Sequence, residues 1–174
     1  MSSVAGHADL SAAARLFGRL LVRELDTETL EELSRPAVRA SLRELGIECP
    51  SASLEELAAQ YCARFVHPRI GYPPVQSLWT TGQYDGAAAL AVRAIADASA
   101  REPAPGARNA APDHIGCILL LWAELVHERP ELAERLRRDH LQWAQQALAE
   151  TARDDDFFGS IATATIELLR RLTE

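Results

Sequence analysis

Apolar residues recur along this chain with helical spacing almost from end to end. Leu10, Ala13, Ala14, Phe17, Leu20, Leu21 and Leu25 follow the i, i+3, i+4, i+7 rule that lines one side of a helix. An acidic, turn-rich stretch from Asp26 to Glu32 leads to Pro36, whose missing N–H suits a first helical residue, and Gly46 suits the end of that second helix. Ser53 and Glu56 have capping-box spacing, and Leu54, Leu57, Ala58, Tyr61 and Phe65 carry the stripe of a third helix behind them. From Val66 to Tyr84 the periodicity stops. His67-Pro68, Gly71 and Pro73-Pro74 push the backbone out of the α region, so an ordered loop is predicted there, a kind of segment that often carries function.

The stripe resumes at Ala88, Val92 and Ile95, with Asp85 as the candidate cap. It pauses again from Arg101 to Ala111, where Pro103, Pro105 and Gly106 predict a flexible connector. Pro112 then stands where a first helical residue should. Behind it Ile115, Ile118, Leu119, Trp122, Leu125 and Val126 leave so little polar face that this helix is expected to run through the core. Glu128-Arg129-Pro130 ends it. Leu132, Leu136, His140, Trp143, Ala144, Ala147 and Leu148 repeat the stripe. The run Asp154-Asp155-Asp156 then offers caps to a last helix through Phe158, Ile161, Ala162, Thr165, Leu168, Leu169 and Leu172. No period-2 strand of useful length occurs. The chain reads as all-α: one helical bundle of about seven or more helices over residues 1–174, with a connector at 101–111.

Composition narrows the function classes. At 174 residues and 48% apolar the chain is sized for one core, and a net charge of −7 disfavours nucleic acid and anionic membrane surfaces as partners. No window approaches the roughly 20 apolar residues that cross a bilayer, so no stable membrane insertion is expected. The start, MSSVAGHADLS, lacks the basic and apolar regions of a secretory signal, and a cytoplasmic location is expected. All 18 basic residues are arginine, which closes Schiff-base and P-loop lysine chemistry. Cys49, Cys62 and Cys117 form no C-x-x-C pair and read as small hydrophobes. His7, His67 and His127 have no metal-ligand spacing, so neither a metal nor another cofactor is expected.

Few polar residues stand out. Asp113 and His114 point about 100° apart on a helix, so they make a poor catalytic dyad. They read either as an N-terminal cap beside a half-buried histidine, or as the mouth of a groove at the end of the central helix. Trp79 reads equally as core or as a binding anchor. His140 shares a stripe with Leu136 and Trp143 and reads as a core histidine satisfied by a neighbouring helix. The acidic residues Glu24, Asp26, Glu28, Glu31 and Glu32 read as a solvated face that also suits an arginine-rich peptide.

Several of these segments occur in a familiar order. Pro74-Val75-Gln76-Ser77-Leu78-Trp79, an Ala-rich helix, a variable connector and Pro112-Asp113-His114-Ile115-Gly116 resemble the TorD/DmsD/NarJ family of redox-enzyme maturation chaperones. His140-Leu141-x-Trp143, Phe157-Phe158, Arg64-Phe65-Val66-x-Pro68 and the Ala14–Phe17 run are also similar to that family, so the resemblance covers about Leu10 to Leu172. The chain departs from the pattern at Ala110-Ala111, where the family usually carries a glutamate, and at His67, where it carries glycine.

The resemblance implies a helical, non-enzymatic chaperone. Its partner would be the apo form of a molybdopterin oxidoreductase catalytic subunit, its twin-arginine leader peptide, or both, with export delayed until the cofactor is loaded. Carried over position by position, the implied peptide- or client-binding residues are Asp113, His114, Pro74, Ser77 and Trp79. Two other functions remain open beside it: a helical module that binds the mature part of a non-exported redox enzyme, and a small nucleotide-acting hydrolase using His114 or His140. The connector at 101–111 also suits a hinge for helix exchange in a homodimer.

Overall fold

The structure is a computed structural model that describes residues 3–66, 71, 73–100, 104 and 107–173. His67 and part of the 101–111 connector lie outside the described residues, as does the side chain of His7. The helices run in the order α1 (Ser3–Val22), α2 (Thr27–Ser34), α3 (Pro36–Glu44), α4 (Leu54–Tyr61), α5 (Gln76–Thr81), α6 (Ala87–Ser99), α7 (Ile115–Glu128), α8 (Pro130–His140), α9 (Ala144–Leu148) and α10 (Phe157–Thr173). A π-helical turn, Cys62–Val66, continues α4, and a short 3-10 turn, Thr151–Arg153, precedes α10. The all-α expectation holds, and no strand occurs among the described residues.

Local chemistry explains most of the boundaries. Ser53 and Glu56 form the anticipated capping box: the Ser53 hydroxyl accepts from Glu56 N at 3.3 Å, and Glu56 Oε2 accepts from Ser53 N at 2.8 Å. Pro36 and Pro130 each open a helix, and Gly46, at φ +75°, follows the end of α3. Asp156 accepts from Gly159 N at 3.0 Å and so caps α10.

Five local expectations need correction. The stretch expected as a turn at Asp26–Glu32 forms most of α2, because the Asp26 carboxylate accepts from Thr29 N at 2.8 Å. The loop expected between Val66 and Tyr84 contains α5. Asp85 does not cap α6; it sits at φ 57°, and Gly86 takes the N-cap position. Pro112 is not the first residue of α7, which starts three positions later behind His114. The helix expected through Leu132–Leu148 is broken at Leu141–Trp143 into α8 and α9, with Trp143 Nε1 donating to His140 O at 2.8 Å.

α7 contributes to both clusters of buried apolar residues, the large one and a small one of Val22, Cys117 and Leu120. Ile115, Ile118, Leu119, Trp122, Ala123 and Leu125 are all buried, as the absence of a polar face predicts. α7 packs along α1 at very short range: a Cβ added at Gly18 would lie 2.9 Å from Gly116 O, and one at Gly116 would lie 2.7 Å from Gly18 O. This crossing therefore requires glycine on both helices. Ser11 and Arg15 of α1 each donate to Ala123 O at 3.1 Å, fixing the register. At the other end Tyr61, Phe65, Phe157 and Phe158 form an edge-to-face cluster, and Arg64 ties the π turn to Asp154 at 2.8 Å and to Asp156.

Candidate functional site

The proline segment and the start of α7 are joined by backbone pairing. Val75 and His114 form an antiparallel bridge, in which Ile115 N donates to Pro74 O at 2.9 Å and Gln76 N donates to Asp113 O at 3.0 Å. One residue further on, the Asp113 carboxylate accepts from Ser77 N at 2.7 Å. Val75, the N-cap residue of α5, has no side chain that can accept, so Asp113 supplies that cap from 36 positions away. Asp113 is fully buried and Ser77 is 1% exposed, with Asp113 Oδ1 and Ser77 Oγ lacking a hydrogen-bond partner.

His114 caps α7 itself. Its Nδ1 accepts from Gly116 N at 3.0 Å, which places the ring proton on Nε2. Burial pushes its pKa down to about 4 against the opposing field of Asp113, so the ring is neutral at neutral pH. His140, at the end of α8, is buried and donates from Nδ1 to Gln76 Oε1 at 2.7 Å, while Gln76 Nε2 donates to Asp139 O at 3.3 Å. The reading of His140 as a core histidine satisfied by a neighbour is borne out, and burial lowers its pKa too. Trp79, on α5, is half-buried and donates from Nε1 to Pro73 O at 3.1 Å.

A groove of about 620 Å³ opens beside this junction. Phe65 and Val66 from the π turn, Pro73 and Val75 from the proline segment, Tyr84 and His114 supply its lining, and Glu24 and Asp26 stand at it from the end of α1. Tyr84 is 49% and Val66 52% exposed, so the groove presents apolar surface to its contents. Thus the five residues singled out from sequence converge on one junction. His114 lines the groove, whereas Asp113, Pro74 and Ser77 lie buried behind it and hold its wall in place.

Sequence reasoning assigned Tyr84 no role, placed Val66 and Gln76 only within segments resembling the family, and took Glu24 as part of a solvated face that also suits an arginine-rich peptide. Nothing in the periodicity marks them, because each matters through neighbours distant in the chain. Among the described residues no three His, Cys, Asp or Glu side chains converge as metal ligands would. Nor is any described helix long and apolar enough to cross a membrane.

A family profile described as nitrate reductase delta subunit matches residues 9–154, which includes both halves of the junction. The chain belongs to that family. A curated relative, a probable Tat proofreading chaperone DmsD from Haemophilus influenzae, is 37% identical over 62 residues, which is 34% of this chain and 30% of that protein. The chain thus matches less than a third of that relative's length. The fold is shared with a solved redox enzyme maturation protein from Archaeoglobus fulgidus, described as putative, at a TM-score of 0.62 and 16% identity, covering 92% of this chain and 93% of that one.

Proposed function

We propose that this family member is a maturation chaperone for an exported molybdopterin oxidoreductase. It binds the apo-enzyme's twin-arginine leader in the groove beside His114 and delays export until the cofactor is in place. The observation that carries this reading is the groove itself: an apolar trough built from Phe65, Val66, Val75 and Tyr84, with the Glu24 carboxylate beside it and Asp26 paired to Arg23. A leader is basic at one end and apolar beyond it, so such a trough complements both parts. The catalytic subunit of the client is the partner, and the protein itself performs no turnover. The name of the Haemophilus relative, a Tat proofreading chaperone, supports the same role.

Binding of a fluorescently labelled twin-arginine leader, followed by anisotropy, tests this. His114→Asn is the informative variant, because asparagine keeps a cap acceptor for Gly116 N while removing the Nε2–H donor from the groove. We expect the affinity to fall roughly three- to tenfold, the worth of one hydrogen bond, with unfolding still cooperative. Unchanged affinity would place the leader elsewhere on the molecule.

A further inference from the structure

A second cavity lies directly against the groove. It has a volume of about 270 Å³ and is walled by Val92 and Ala96 of α6 and by Cys117, Leu120 and Leu121 of α7. Ala104, Ala107 and Ala110 pack over Cys117 and Leu120 and over Val22, which itself lines the groove. Ala110 also lines both spaces. Among the described residues, Ala104, Ala107, Ala110 and Val22 pack together where the two spaces adjoin.

The two spaces differ in charge. At the second cavity Arg93 and Arg108 are balanced by Asp97 and Glu124, and the rest of its wall is apolar. Burial, and then the charge of Asp113, push the Cys117 thiol there up to about 12. At the groove Arg23 is taken up by Asp26 at 3.0 Å, and Asp26 also caps α2. Glu24 by contrast accepts from the Cys62 thiol at 3.1 Å, and among the described residues no cation pairs with it. His114 is neutral and 7% exposed, and its Nε2–H is not used by the protein. By count, the groove lining of Arg23, Glu24 and Asp26 leaves one negative charge over, whereas the two arginines and two carboxylates at the adjoining cavity cancel.

We infer that the two spaces are one divided site: Glu24 takes a basic side chain of the bound segment, and the cavity between α6 and α7 takes the apolar side chains that follow it. This rests on the leader reading above and adds to it which part of the peptide goes where. A twin-arginine leader has this order, a basic pair and then an apolar run, and the alanine turn between the two spaces is the point at which the segment passes from one to the other.

The test pairs protein variants with peptide variants. Three labelled peptides are titrated: an unaltered twin-arginine leader, one with both arginines replaced by glutamine, and one with the leucines of its apolar run replaced by serine. Glu24→Gln keeps an acceptor for Cys62 and removes the charge. It is expected to weaken the unaltered leader roughly two- to fivefold, the range of an exposed ion pair, and to leave the glutamine peptide unaffected. Ala107→Phe fills the second cavity. It is expected to weaken the unaltered leader about tenfold or more, by excluding one buried side chain, and to leave the serine peptide unaffected. Ala96→Leu, on α6, fills the same cavity from the other side and replaces Ala107→Phe if that variant does not unfold cooperatively.

Equal losses on matched and mismatched peptides overturn the division while leaving the leader reading intact. Failure of the wild-type chain to bind the unaltered leader overturns the leader reading, and the division with it.

Discussion

His114 has three roles, and the first depends on its ring being neutral. It caps α7 through Nδ1, it pairs by backbone with Val75, and it faces the groove. Its pKa falls from the ordinary 6.5 to about 4 on folding, chiefly by burial. Between those values the unfolded chain binds a proton that the folded chain refuses, so stability rises with pH across that window and is lost as the pH falls through it. The full effect is roughly 3 kcal/mol by pH 4, at about 1.4 kcal/mol per unit. Denaturation in urea at pH 7 and pH 4.5 should show it as a fall in midpoint, and His114→Asn should flatten that fall to the part left by His140, whose pKa is lowered in the same direction. An equally steep fall in the variant would assign the pH dependence to other groups. The residue scale is also where the sequence speaks least clearly. Asp113 reads as a cap for its own helix, yet its carboxylate serves α5, 36 positions earlier, and no local pattern encodes that.

At the scale of elements, the crossing of α1 and α7 sets the position of everything around the groove. His114 stands one residue before α7, and Val22 and Glu24 stand at and just after the end of α1. Gly18 and Gly116 let the two backbones approach until the carbonyl of each lies under 3 Å from where the other's side chain would begin. Gly116→Ala is therefore expected to cost roughly 1–3 kcal/mol in chemical denaturation, the usual range for overpacking, and to weaken leader binding by moving the groove wall. A variant as stable as the wild type would mean that the helices can part without cost.

The elements themselves were unevenly legible. Helices with a strong stripe and a local cap, such as α4 behind Ser53 and α10 behind Asp156, appear where the pattern puts them. α5 does not, because it has six residues and no cap of its own, and it is held by Asp113 and by the pairing of Gln76 with the residue before His114. The break between α8 and α9 is equally silent in the periodicity, since Trp143 keeps the stripe while its indole bonds back to His140 O.

At the scale of the whole molecule, the proposed function implies that the net charge of −7 acts on the approach of a basic leader before any contact forms. Raising the salt from about 0.1 M to 1 M shortens the screening length from roughly 10 Å to 3 Å. The association rate of the leader, measured by stopped-flow anisotropy, should fall over that range while its dissociation rate changes less. A salt-independent association rate would show that the acidic surface plays no part in capture.

The sequence alone determined the helical class, the central apolar helix, most of the caps and the short set of residues that meet at the junction. The class, the apolar helix and the caps follow from spacing and from interactions within a few residues, which a linear chain carries in full, whereas the junction residues come only from the family resemblance. Only the tertiary structure decided that Asp113 and Ser77 lie behind the wall while His114 faces the groove, and that Glu24, Val66 and Tyr84 join it. The groove is assembled from the end of α1, the π turn, the proline segment and the start of α7, and the helical packing that brings them together is set by close contacts such as Gly18 on Gly116. Contacts between residues so far apart in the chain leave no periodic trace in it, which is why neither the full membership of the groove nor its arrangement can be read from the sequence.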